Sequence, residues 1–133
     1  MQEVIKLLNE NQNGYLATVE NGHPRVRPWG FMFEEGGKFY FCTSNMKDVF
    51  KQLKETPYVE FSTTGQNFVW VRIRGEIKFS DDLRIKEKVL DNQPMVKSIY
   101  KTADNPIFEA FYIEHGTATV ADFSGQPPKT FEF

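Results

Sequence analysis

The chain has 133 residues, and its 16 Lys and Arg against 18 Asp and Glu give a formal net charge of −2. The length predicts a single domain over residues 1–133, and the slight acidic excess argues against a general nucleic-acid-binding protein. The one cysteine, Cys42, excludes an internal disulfide and a zinc site built from cysteines. The sequence has no apolar run of the roughly 20 residues that span a membrane and no secretory signal at its start. We therefore expect a cytoplasmic protein without membrane contact.

Hydrophobic patterns predict a mainly β protein, a small antiparallel barrel with helices packed outside. The first dozen residues place Val4, Leu7 and Leu8 on one helical face. Alternation of polar and large apolar residues predicts the strands Gly14–Glu20, Pro24–Phe33, Lys38–Thr43, Tyr58–Thr63, Phe68–Phe79, Phe108–His115 and Thr117–Phe123. Three further helices are predicted: Met46–Lys54, one that Asp81-Asp82 opens and that ends before Pro94, and Met95–Lys101.

Glycine-containing turns predict how these strands connect. Asn21-Gly22 is typical of a tight hairpin, and Glu34–Gly37 predicts the next turn. The first three strands are therefore expected to form an antiparallel meander. Gly116 is expected to turn a final hairpin, and the segment after Gln126 is a frayed or docking tail.

Motifs for catalysis and metal binding are absent from the sequence. It contains no GxGxxG, P-loop, HExxH or GxSxG pattern. His23 and His115 lie far apart in the chain and are interpreted as turn or strand-end residues. Cys42 lies in an aromatic strand and is interpreted as a small buried hydrophobe. The chain therefore shows no predicted acid–base pair and no metal site.

Two arginines in the Pro24–Phe33 strand are the first candidate site. Arg25 and Arg27 are two positions apart, so both point from one face, with Val26 facing the core. Two parallel guanidinium groups can hold a phosphate or carboxylate through several charge-assisted hydrogen bonds. The alternative is a pair of surface cations that answer carboxylates on a neighbouring strand.

The start of the Met46–Lys54 helix is the second candidate. Thr43 and Ser44 bring hydroxyl groups to a helix N-terminus, where backbone N–H groups favour anions. A cation such as Lys47 at this place opposes the helix dipole, which costs a little free energy unless an anion binds beside it. The alternative is that Ser44 or Asn45 only caps the helix and Lys47 faces water. In a meander the second and third strands lie side by side. Taken together, these residues predict a phosphate pocket.

Trp70 lies on the polar face of the Phe68–Phe79 strand, beside Arg72 and Arg74. A tryptophan in such a place can stack on a flat ligand, pack against a second subunit, or cover a satellite core under a helix. The sequence leaves these three alternatives open.

These segments, in this order, resemble the pyridoxamine-phosphate-oxidase-like FMN-binding split-barrel family. The matching stretches are GYLATVENGHPRVRPWGF, GGKFYFCTSNMKDVFKQLKETPYVEF and VWVRIRGEI, within about residues 12–79, and the rest fits by element order. The resemblance implies a six-stranded antiparallel Greek-key split barrel. It also implies a homodimer with one FMN in each of two clefts at the subunit interface.

The resemblance further implies which residues bind the cofactor. At the phosphate they are Arg25, Arg27, Ser44 and Lys47. The backbone of Val26, Arg27 and Pro28 would line the isoalloxazine edge, with Cys42 and Thr43 near the ribityl chain. Gln52 is at the family's Gln position, and Trp70 is where the fifth strand often contacts flavin, from the second subunit or beside it.

The function that the resemblance implies is an FMN-dependent oxidoreductase. It would pass electrons from a reduced nicotinamide cofactor to a small conjugated or nitro-type acceptor, without a role for nucleic acid. The chain is similar to the short, general and nitroimidazole-resistance-like members rather than to pyridoxine-phosphate oxidases proper, because its end, PPKTFEF, lacks their Trp and Arg-x-His signature. One alternative is a non-catalytic flavin- or haem-binding sensor or carrier of the same fold. Another is a single-strand nucleic-acid binder with surface aromatics, which the acidic composition disfavours.

Overall fold

The computed structural model describes residues 1–133. Its elements follow the chain in the order α1 (Gln2–Glu10), β1 (Asn13–Glu20), β2 (His23–Gly30), β3 (Phe33–Glu35), β4 (Lys38–Ser44), α2 (Asp48–Glu55), β5 (Tyr58–Thr64), a short 3-10 turn (Gln66–Phe68), β6 (Trp70–Ser80), α3 (Leu83–Asn92), α4 (Pro94–Tyr100), β7 (Phe108–Ala121) and β8 (Lys129–Glu132). None of the four helices combines the length and the apolar character that a membrane span requires.

The strands form one antiparallel sheet in the order β2-β1-β5-β6-β7-β4-β3, and β8 adds to β7. This confirms the mainly β prediction with flanking helices. The sheet has eight strands rather than six, since β3 is short and separate and the tail adds β8. The tail therefore docks: β8 pairs with β7, and the Phe133 ring lies 5.1 Å from that of Phe39.

Two hydrophobic cores lie on the two sides of the central strands. The larger core fills the barrel and includes fully buried rings at Phe31, Phe39, Phe41, Phe61 and Phe111, with Val4 and Leu8 of α1 packed against them. The smaller core lies between α3, α4 and the other face of β4 and β7, with Ile85, Val89, Tyr100, Phe108 and Tyr40 among its members. The alternation along β4 serves both cores at once, because successive side chains point to opposite faces.

The predicted meander is wrong at its third strand. β1 and β2 form the hairpin around Asn21-Gly22, whose positive φ angles of 53° and 77° match a type I′ turn. β4, however, pairs with β3 and β7, and not with β2. The chain changes partners just after β2: the Phe31 N–H donates to the Gln12 carbonyl, and the next N–H, from Met32, donates to that of Tyr40. α2 contacts both β1 and β4, so it packs between strands that do not pair with each other.

The predicted hairpin around Gly116 is also wrong, because β7 runs unbroken through that residue. Gly116 faces Gly75 of β6, beside a register shift. A Cβ atom at Gly116 would lie 2.0 Å from the Arg74 carbonyl oxygen. The glycine is therefore needed for a close approach of two strands and not for a turn.

Candidate functional site

A basic cleft of about 560 Å³ opens between β2 and the start of α2. Its lining residues come from β1, β2 and α2 and are Glu20, Arg25, Arg27, Pro28, Trp29, Lys47, Asp48, Val49 and Gln52. Three cations and two carboxylates therefore face one cavity. The predicted convergence of Arg25 and Arg27 with Lys47 is found in this cleft, although β2 and β4 are not neighbours in the sheet.

Arg27 is held in place by neutral acceptors only. One terminal nitrogen, Nη1, donates to the Leu16 carbonyl at 3.2 Å and to the Thr18 hydroxyl at 2.8 Å, and Nη2 donates to Gln52 Oε1 at 2.8 Å. Burial is the main cause that lowers the pKa of this half-buried guanidinium. An arginine remains charged in proteins, so Arg27 presents a fixed positive charge without a carboxylate partner.

Glu20 forms an ion pair with the other arginine, Arg25. Its Oε1 accepts hydrogen bonds from Arg25 Nη2 at 2.9 Å and Nε at 3.2 Å, and its Oε2 accepts one from Gln52 Nε2 at 3.2 Å. These bonds, first that from Gln52 and then that from Arg25, hold the pKa of the Glu20 carboxyl below its usual value. Gln52, itself buried, therefore links the Arg25–Glu20 pair to Arg27.

The two arginines share a face, as predicted, but the assignment of that face is inverted. Arg27 pairs with Leu16 and Arg25 with Thr18, whose side chains are buried, while Val26 pairs with Ala17 on the outward face and is 69% exposed. The prediction that Val26 faces the core is wrong. Since β2 is the edge strand of the sheet, no further strand lies beyond it; its inner face lines the cleft beside α2, and its outer face is exposed at Val26.

Lys47 occupies the N-cap position of α2, which begins at Asp48 and not at Met46. The predicted cap from Ser44 or Asn45 is wrong: the Ser44 hydroxyl accepts from the Met46 N–H at 3.1 Å, and the Asn45 side chain donates to the Pro106 carbonyl at 2.8 Å. The Lys47 ammonium lies 5.4 Å from the centre of the Trp29 ring. The start of α2 therefore presents an exposed cation and backbone N–H groups without a side-chain cap.

A second, more apolar cleft of about 430 Å³ adjoins the first. It shares Pro28, Trp29 and Lys47 with the basic cleft, and its other walls include Gly30, Met32, Cys42, Thr43 and the α4 residues Met95, Val96, Ile99 and Tyr100. Together the two clefts form a continuous site with a cationic end and an apolar end.

The Thr43 hydroxyl is a buried polar group without a partner. Thr43 is 2% exposed, lines the apolar cleft, and its Oγ1 makes no hydrogen bond. Buried polar groups in folded proteins are nearly always paired, because an unpaired one costs about 1–3 kcal/mol. The neighbouring Cys42 lines the same cleft and is half-buried rather than fully buried as predicted, and burial raises the pKa of its thiol to about 12.

The structure brings most of the predicted site residues to these two clefts, namely Arg25, Arg27, Pro28, Cys42, Thr43, Lys47 and Gln52. The side chains of Val26, Ser44 and Trp70 line neither cleft. Trp70 lies on the outward face of β6, with its ring 5.0 Å from that of Phe123. Whether these three contact a ligand bound across a subunit interface stays a prediction.

Sequence reasoning missed Glu20, Trp29 and the α4 wall. Glu20 is the last residue of β1 and alternates in phase with Thr18, which places it on the same face as the arginines; this signal could have found it. Nothing in the local sequence of α4 points to a cleft, since only the docking of the helix brings its apolar residues there.

The chain matches known proteins in family, sequence and structure. The family model for pyridoxamine 5'-phosphate oxidase matches residues 1–125. General stress protein 26 of Bacillus subtilis (strain 168) is 27% identical over 92 residues, which cover 66% of this chain and 65% of that protein. The match therefore spans slightly less than two thirds of that relative.

Solved structures also share the fold. A NimC/NimA family protein from Clostridium acetobutylicum is 37% identical, with a TM-score of 0.90 over 100% of this chain and 92% of its own. A pyridoxamine 5'-phosphate oxidase-related, FMN-binding protein from Nostoc punctiforme is 16% identical, with a TM-score of 0.64 over 96% of this chain and 83% of its own. With the family model matching nearly its whole length, the chain belongs to the pyridoxamine 5'-phosphate oxidase family and has its split-barrel fold.

Proposed function

We propose that the chain binds FMN as a homodimer and acts as an oxidoreductase that passes electrons from a reduced nicotinamide cofactor to a small acceptor. The observation that carries the proposal is the adjacency of the two clefts: a cationic end at Arg27 and Lys47, and an apolar end where Thr43 has an unpaired hydroxyl. The FMN-binding relative from Nostoc punctiforme supports the choice of cofactor.

The phosphate end fits the basic cleft by charge. A phosphate monoester carries about −1.5 to −2 charges at neutral pH and needs several donors. Arg27 and Lys47 make no ion pair with any carboxylate, so two positive charges remain for the ligand. The uncapped N–H groups at the start of α2 add further donors. Gln52 holds the Arg27 fork in position without neutralising it.

The ring end fits the apolar cleft. A flat, amphipathic ring favours an apolar slot with a few polar groups at its edge. Trp29, Met32 and Val96 supply apolar walls, and the Thr43 hydroxyl can pair with a ring or ribityl group. The bound flavin would supply the redox chemistry. The chain's own residues would then bind and orient the flavin and exclude water from it, which agrees with the absence of a catalytic acid–base motif.

The homodimer is supported by the bare outer face of the sheet. Tyr15, Val26 and Tyr58 are 58%, 69% and 56% exposed. They lie on the outward sides of β1, β2 and β5, and no helix covers them. Exposed aromatic and aliphatic side chains grouped on one face of a sheet are typical of protein interfaces. A second copy of the chain would cover this face.

The direct test is the purified protein. We expect flavin absorption bands that stay with the protein through gel filtration, at twice the 15.5 kDa mass of the chain. FMN should bind at least a hundredfold more tightly than riboflavin, which lacks the phosphate. Steady NADH or NADPH oxidation with an added acceptor supports the oxidoreductase, and a bound flavin that never turns over supports the carrier. A haem spectrum, or equal affinity for FMN and riboflavin, contradicts the proposal.

Replacing Thr43 by valine should change stability and ligand affinity in opposite directions. Without ligand, Thr43→Val removes an unpaired buried hydroxyl, so we expect the free energy of unfolding to rise by about 1 kcal/mol. FMN affinity should fall by about fivefold, because the ligand loses a hydrogen bond. Urea unfolding of the flavin-free protein and a flavin titration measure the two effects.

Thr63→Val is the matched control for that substitution. Thr63 is 4% exposed, and its hydroxyl donates to the Asn13 carbonyl at 2.9 Å. This variant should lower stability by about 1 kcal/mol and leave FMN affinity unchanged. If Thr43→Val destabilises the protein as much as Thr63→Val does, the hydroxyl of Thr43 is paired in solution and does not await a ligand.

A further inference from the structure

The residues on the inner face of β2 indicate the direction in which a bound ligand extends along the site. Trp29 borders both clefts, while Arg27 and then Arg25 line only the basic cleft. Every second residue of a strand is about 6.6 Å further along. If a ligand places its ring in the apolar cleft and a phosphate at Arg27, any group beyond that phosphate extends toward Arg25.

Glu20 occupies this far end. Both of its carboxylate oxygens are engaged, Oε1 by Arg25 and Oε2 by Gln52. Arg25 is therefore neutralised, whereas Arg27 is bonded only to neutral groups. The cations of the cleft without a carboxylate partner are Arg27 and Lys47, whereas beyond them the Glu20 carboxylate already occupies the donors of Arg25.

We propose that Glu20 is a specificity-determining residue that selects ligands ending in one phosphate monoester over ligands that continue into a second phosphate. The inference rests on the proposed function for the direction of the ligand. A second phosphate would meet the Glu20 carboxylate at the point where Arg25 could otherwise bind it. Repulsion between charges a few ångströms apart at a partly exposed site lowers affinity by about tenfold.

The test compares FMN with FAD, which carries a second phosphate, in Glu20→Gln. The amide keeps the shape of the side chain and frees Arg25. We expect the wild-type protein to prefer FMN over FAD by at least tenfold in fluorescence titrations. The substitution should reduce that preference by about tenfold, mainly through tighter FAD binding. In Glu20→Gln combined with Arg25→Ala the gain for FAD should disappear, because Arg25 supplies it.

Glu114→Gln is the matched control. Glu114 pairs with Lys78 at 3.7 Å, its side chain is 35% exposed like that of Glu20, and it lines neither cleft. This variant should keep the wild-type preference. If Glu20→Gln leaves the ratio of FAD to FMN affinity unchanged, or weakens both ligands equally, Glu20 is not a specificity residue.

Inorganic phosphate and pyrophosphate separate this inference from the proposed function. Should the protein bind no flavin, the proposed function fails, but Glu20→Gln must still raise pyrophosphate affinity relative to phosphate in calorimetric titrations if Glu20 excludes the second phosphate. An unchanged ratio, or no binding of either anion, overturns the inference on its own.

Discussion

Replacing Arg27 and Lys47 together by alanine is expected to weaken FMN binding by about 3–6 kcal/mol, or roughly a hundredfold to ten-thousandfold. Each charge-assisted hydrogen bond contributes about 1.5–3 kcal/mol, and these two residues carry the positive charge that no carboxylate of the chain answers. Quenching of flavin fluorescence at low ionic strength measures the dissociation constant, since salt screens such contacts.

Lys6→Ala combined with Lys51→Ala is the control for that double variant. Both lysines are exposed and lie outside the two clefts, so the substitutions remove the same number of charges from the protein. FMN affinity should change by less than about twofold, through the long-range field alone. Full flavin occupancy in the Arg27 and Lys47 double variant would show that the phosphate binds elsewhere.

The largest expected effect on stability is that of Phe41→Ala, about 3–5 kcal/mol. Phe41 is fully buried, and its ring centre lies 5.7 Å from that of Phe31, 5.2 Å from that of Phe61 and 5.5 Å from that of Phe111. Truncation leaves a cavity where three strands and the β2–β3 crossing meet. Urea unfolding should show a lower midpoint with an unchanged slope.

The same truncation at an exposed ring provides the comparison. Phe123 is 80% exposed, so Phe123→Ala should change the free energy of unfolding by less than about 0.5 kcal/mol.

Since Phe41 lies two residues before Thr43 on β4, Phe41→Ala should also weaken FMN binding at temperatures where the protein stays folded. A loss below 1 kcal/mol would mean that the barrel interior repacks around the missing ring.

Local patterns were sufficient for most elements of the fold. Asn21-Gly22 adopts the positive φ angles that its composition demands, and Asp82 caps α3 by accepting from the Arg84 N–H at 2.9 Å. The role of a glycine within a long strand could not be predicted from its local sequence. Gly116 permits a close approach to β6 that involves residues some forty positions away, and no local pattern distinguishes that use from a turn.

Some features of the candidate site were likewise predictable from the sequence, and others were not. Side-chain chemistry pointed to an anion at Arg27 and Lys47, because cations gather where a phosphate is bound. The face of β2 was inverted, however, since whether Val26 or the arginines face inward depends on how far the core reaches under an edge strand. The roles of Glu20 and Gln52 depend on hydrogen bonds between β1, β2 and α2.

The amino-acid sequence alone determined the mainly β architecture, the family resemblance and the residue types that favour a phosphate, because these follow from periodicity, turn chemistry and charge. Only the tertiary structure decided that β2 and β4 are not paired, that the chain crosses between them at Phe31 and Met32, and that α2 brings Lys47 to Arg27. The physical reason is range: backbone propensities act over a few residues, whereas strand order and the clefts between elements result from packing of the whole chain.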